Sequence, residues 1–183
     1  MDTMDDPKES EHVTRTFRIA IDYDEALREE AEKKGTSVNS LANQIMKKFC
    51  ESGRYFSQGQ SITLAPRTFG QIIEYLSNED IADAGKKSGQ SIPKDRLLMR
   101  GMILDRKSII WFITEVLSSY NDWFTCDIHE RKDYTLFHLR HVYEEKWSIF
   151  IMNYIASMVE DLLGITDLHF SITSSTVSFQ LPK

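Results

Sequence analysis

The stretch that decides the fold class of the N-terminal part is TFRIAI (residues 16–21), read together with GTSVNSLANQI (residues 35–45) one helix-length later. In the first, Phe17, Ile19 and Ile21 alternate with Thr16, Arg18 and Ala20, which is the period of a strand with one buried face. No neighbouring segment offers this strand a partner, and a lone strand leaves its own backbone donors and acceptors unpaired. The text from Asp22 to Gly35 reads as an amphipathic helix with Leu27 and Ala31 four apart. Asp22 or Asp24 is its expected cap, and Lys33, Lys34 and Gly35 close it. A second helix follows over residues 36–51, with Ser37 as N-cap and Val38, Leu41, Ile45 and Phe49 as an apolar stripe. A short strand and two helices bury too little surface to fold alone. The economical solution is a second copy, in which two strands pair antiparallel across a two-fold axis over a core of Phe17, Ile19, Ile21, Leu27, Leu41 and Ile45.

Charge narrows the function classes. The chain of 183 residues carries net −6, with −4 in residues 1–11, +1 in residues 12–54 and −3 in residues 55–183. Only the segment around the odd strand is positive, and so weakly that nucleic-acid binding there must depend on placed contacts more than on a bulk field. Hydrophobic residues at 41% suffice for a real core. No apolar run is long enough for a transmembrane helix, and residues 1–11 lack the layout of a signal peptide and read as a disordered acidic tail. Two cysteines are too few for a disulfide framework, so a cytoplasmic location is expected.

Three features of residues 13–51 resemble the ribbon-helix-helix family of DNA-binding regulators, that of the Arc- and MetJ-type ribbon readers. They are the F-R-I-A-I alternation, the L-x-x-x-A-x-x-x-G run from Leu27 to Gly35, and the G-x-S-x-N-x-L stretch from Gly35 to Leu41. The resemblance implies a homodimer whose two-stranded ribbon enters the major groove of double-stranded DNA with Thr16, Arg18 and Ala20. It also implies that the start of the second helix, at Ser37, Val38 and Asn39, holds a phosphate. Ala20 stands where many members carry a polar residue and offers at most a methyl contact, so base reading falls on Arg18 and Thr16. Arg15 lies one residue off the alternation and suits a backbone contact. The family also contains modules that serve as antitoxins or dimerisation platforms, which makes a protein-interaction module the alternative.

Residues 53–65 read as a linker, with a short strand at Ser61–Leu64. Pro66 suits the first turn of a helix running to about Leu76. A polar stretch with Ala84-Gly85-Lys86-Lys87-Ser88-Gly89 follows, whose small residues four apart could let two helices approach closely; no phosphate-loop pattern is present. Residues 105–124 are apolar nearly all round, as in a buried helix. Residues 124–130 and 135–143 alternate around an R-K-D turn as a hairpin, residues 145–164 form a strongly amphipathic helix ended by Gly164, and the tail returns to strands around a T-S-S turn. The fold class is therefore α+β: a ribbon-helix-helix module over residues 12–52, then a domain over residues 66–183 of helices and β-β-α-β-β order. That domain is expected to sense a small-molecule or protein effector, or to extend the oligomer.

Cys126, His129, His138 and His141 have the C-x2-H…H-x2-H spacing of metal ligands. Residues three apart on a strand diverge to opposite faces, however, and a hairpin pairing 129 with 138 would split the four into two pairs. No metal or other cofactor is expected. No nucleophile elbow or carboxylate pair is present, so the chain does not read as an enzyme. The reading is a homodimeric, sequence-specific transcriptional regulator.

Overall fold

A computed structural model describes residues 13–55 and 62–183, so the acidic tail and part of the linker lie outside the described residues. The described residues fall into two compact units, one ending at Phe49 and the other beginning at Cys50. Together they are mixed α+β, with six α-helices and one four-stranded antiparallel sheet among the described residues.

The first unit holds residues 13–20 without regular secondary structure, then α1 (Ile21–Lys33) and most of α2 (Val38–Glu51). The expected strand over residues 16–21 is not present in the single chain. Among the described residues of one copy none pairs with this segment in a ladder, and Ile21 belongs to α1 instead. Nor does either aspartate cap α1. Ala20, in extended conformation, is the N-cap, and its carbonyl receives the N–H groups of Tyr23 (3.2 Å) and Asp24 (3.1 Å). The closing turn is as expected. Thr36 N–H reaches the Ala31 carbonyl at 2.9 Å and Gly35 N–H that of Glu32 at 3.0 Å, the paired bonds of a Schellman motif, with Gly35 at φ 61°.

The second unit holds a 3-10 turn (Gly53–Tyr55), α3 (Pro66–Glu74), α4 (Asn78–Leu98), α5 (Arg106–Trp111) running on as a π-helix (Phe112–Tyr120), β1 (Thr125–Glu130), β2 (Tyr134–Arg140), α6 (Glu144–Leu163), β3 (Phe170–Ile172) and β4 (Thr176–Pro182). Pro66 opens α3 as expected, and Gly164 ends α6 in the left-handed region at φ 69°. Ile62–Leu64 form no strand; Ser61 lies outside the described residues.

The polar stretch after α3 is one long helix. Ser77 and Asp80 form a capping box at its start, with Ser77 Oγ accepting from Asp80 N–H at 3.1 Å. Ile81, Gly85, Gly89, Pro93 and Leu97, each four residues on from the last, are all buried. A Cβ on Gly85 would stand 2.6 Å from the Phe150 carbonyl oxygen, and one on Gly89 2.2 Å from that of Tyr154. The backbones of α4 and α6 therefore touch, a close approach of the kind that small residues four apart allow, made here at Gly85 and Gly89.

The sheet has the order β1-β2-β4-β3. Phe137, Leu139, Val177, Phe179 and Leu181 bury one face in a core shared with the π-helix and with Ile151, Tyr154, Ile155 and Met158 of α6. Phe137 and Phe179, directly paired across β2 and β4, stack at 4.6 Å. In the first hairpin Asp127 pairs with His138 and His129 with Leu136, two residues tighter than the expected 129–138 register. The turn closes between Arg131 N–H and the Tyr134 carbonyl at 2.9 Å. A shift of two preserves the faces, so the hydrophobic alternation could not distinguish the registers.

Candidate functional site

The residues singled out for DNA contact and for a dimer core all lie in the first unit. Ser37 caps α2 as predicted: its Oγ accepts from Ser40 N–H at 3.1 Å and its carbonyl from Leu41 N–H at 2.9 Å. This leaves the N–H groups of Val38 and Asn39, at the positive end of the helix dipole, with no acceptor inside the helix. Such a helix start can hold an anion.

Residues 13–20 are exposed throughout, so a single chain does not sort Phe17 and Ile19 from Thr16, Arg18 and Ala20 into a buried and an exposed face. An open groove of about 620 Å³ runs between this segment and the helices. Arg15, Thr16, Phe17, Arg18 and Ile19 line one side, and Leu27, Val38, Asn39 and Ile45 are among the residues on the other. Among the described residues of this unit only Ala31 and Leu41 are buried apolar residues, whereas Phe17 (63% exposed), Ile21 (77%), Phe49 (61%), Ile19, Ile45 and Met46 are open. Full burial of each such side chain is worth about 1.5–3 kcal/mol. One copy of this unit thus leaves most of its apolar stripe unused. Phe49 was foreseen in the α2 stripe; Met46 was not, because it sits one position off the heptad-like spacing.

The four candidate metal ligands go to separate surroundings. Cys126 is half-buried against the core, and burial, aided by Asp127, pushes its thiol up to about 12, far from the thiolate a metal would need. His129 is exposed on β1, an edge strand. His138 Nδ1 lies 2.8 Å from Ser178 Oγ on the neighbouring strand. His141 is buried beside Ser148, with Nε2 2.8 Å from the hydroxyl. Among the described residues no group of three His, Cys, Asp or Glu side chains could share a metal ion.

The His141–Ser148 contact resembles a base beside a nucleophile, but its polarity is opposite. Tyr143 N–H donates to Nδ1 at 3.3 Å, which puts the ring proton on Nε2, and Ser148 Oγ in turn donates to the Thr173 carbonyl at 2.7 Å. The histidine donates to the serine and takes no proton from it, and burial holds the ring's pKa down to about 4. This chain of bonds ties the start of α6 to the turn after β3.

Tyr120 is the other buried polar centre. Its hydroxyl donates to Glu51 and lies 3.1 Å from Glu115; burial, then these two carboxylates, raises its pKa well beyond the usual phenol range.

No protein-family model matches the chain, and no curated protein matches it. Among the described residues no helix is long and apolar enough to cross a membrane.

Proposed function

We propose that the chain is a homodimeric, sequence-specific DNA-binding transcriptional regulator of the ribbon-helix-helix type, with the second unit serving as a ligand-sensing or oligomerisation domain. The observation that carries this reading is the unspent apolar surface of residues 17–49, joined to a backbone segment over residues 13–20 that has no ladder partner among the described residues of its own chain. A second copy supplies both missing elements at once. Its segment pairs antiparallel with the first, and its helices cover Phe17, Ile19, Ile45 and Phe49.

In that dimer Phe17 and Ile19 turn inward and Thr16, Arg18 and Ala20 face the major groove, where Arg18 can donate two bonds to guanine O6 and N7. The two-fold axis presents each reader twice. Val38 and Asn39 N–H groups, aimed outward from the start of α2, suit the flanking phosphate. The alternative, a protein-interaction module, keeps the same dimer and omits the DNA.

Retention of genomic fragments by the purified full chain, at a stated salt concentration, separates the two. A regulator enriches a common sequence with two-fold symmetry. Retention without sequence preference, or none, supports the interaction module.

A further inference from the structure

In the second unit a cleft of about 480 Å³ opens between α3, the first turns of α4 and the start of α6. That volume falls within the range of small-molecule sites. Its wall is an interlocked aromatic set. Trp147 and Phe150 stack at 4.7 Å and 5°, Phe69 meets the Trp147 ring edge-on at 5.0 Å, and Trp123 meets it at 5.2 Å. The Trp147 indole N–H donates to the Trp123 carbonyl at 3.1 Å, so this wall is fixed before any ligand arrives.

Among the described residues no charged side chain lines the cleft. An ion entering it would lose hydration without an opposite charge to replace it. Flat ring faces favour a planar aromatic guest, which gains offset-stacking and edge contacts beyond its buried area. Asn121 and Tyr143, both lining residues, carry an amide and a hydroxyl able to bond one polar substituent. Ile72 and Leu76 leave an apolar rim open to water.

We infer that this cleft binds an uncharged, planar aromatic small molecule of bicyclic size carrying one hydrogen-bonding group. The site gives the ligand-sensing half of the regulator reading a place and a ligand class, and it rests on that reading only for any link to DNA.

The test titrates the full chain, without DNA, with the neutral fluorescent amine N-phenyl-1-naphthylamine. The expected result is saturable binding of one molecule per chain with quenching of indole emission. Ile72→Lys, at a position 52% exposed, should lower affinity at least about ten-fold by placing a charge at the rim while leaving the thermal unfolding transition in place. Ala84→Phe, which fills the α4 side of the cleft, should lower it independently. The inference is overturned if binding does not saturate, if both variants bind like the parent, or if the anionic 2-naphthoate binds as tightly. It is also overturned if Ile72→Lys halves the sedimenting mass, since a second copy would then cover the cleft. Failure here leaves the DNA reading standing, because that reading is decided by fragment retention.

Discussion

At the scale of single residues, Arg18 and Arg15 are exposed neighbours whose expected roles differ only through the alternation of the segment that carries them. In the proposed dimer Arg18→Ala costs about 1–3 kcal/mol per recognised base and relaxes specificity at two symmetric positions. Arg15→Ala instead lowers affinity evenly across sequences and flattens the salt dependence. Titration of both variants against the preferred site and its single-base variants checks the pair; an unchanged sequence preference in Arg18→Ala counts against groove reading. His141 makes a prediction that needs no partner. Its pKa is about 4 in the fold against about 6.5 in the unfolded chain, so on acidification the unfolded state takes up the proton first. The stability that the neutral ring contributes is complete above pH 6.5 and is lost as pH falls toward 4, by on the order of 2–3 kcal/mol. Urea unfolding across that window should show the His141→Gln variant with a slope shallower by nearly one proton.

At the scale of elements, α4 and α6 show how helix propensity and packing can oppose each other. Replacing glycine by alanine inside a helix ordinarily gains about 1 kcal/mol. At Gly89 the new methyl would meet backbone atoms of Tyr154 that cannot swing away, with the carbonyl oxygen at 2.2 Å. Gly89→Ala should therefore destabilise the chain by about 1–3 kcal/mol or more, measured as a lower urea midpoint, and a raised midpoint would mean that the two helices are farther apart. The start of α2 offers a second test. Val38 is the first helical residue, where proline is tolerated, so Val38→Pro keeps the helix while deleting one outward N–H. Stability should hold while affinity for all DNA sequences falls together.

At the scale of the molecule, the question is whether a second copy completes residues 13–49. In one chain Ile19 is half open to water, and an aspartate there would be harmless. In the paired ribbon the same aspartate is an unpaired buried charge, costing about 3–5 kcal/mol. Ile19→Asp in the full chain should therefore raise the concentration at which the dimer dissociates in sedimentation and lower its thermal midpoint. A parent chain that sediments as a monomer at micromolar concentration removes the dimer outright.

Local chemistry was enough to place most elements. Ser37 and Gly35 marked the turn between α1 and α2, Pro66 the start of α3, Gly164 the end of α6, and the two-residue alternation both C-terminal hairpins, because caps, left-handed turns and strand faces are imposed by residues close in sequence. The tertiary structure decided what depends on partners far along the chain. The single α4 helix runs through glycines, serines and Pro93, all poor helix formers, because Ile81, Gly85, Gly89, Pro93 and Leu97 form one buried stripe. The register of the first hairpin depended on its turn, since a slip of two residues leaves every side chain on its own face. The aromatic cleft brings Phe69, Trp123 and Trp147 together across more than seventy residues, and no local pattern encodes that meeting. For the segment TFRIAI even the tertiary structure of one chain is insufficient: its alternation specifies two faces, and backbone pairing with another strand is what would separate them.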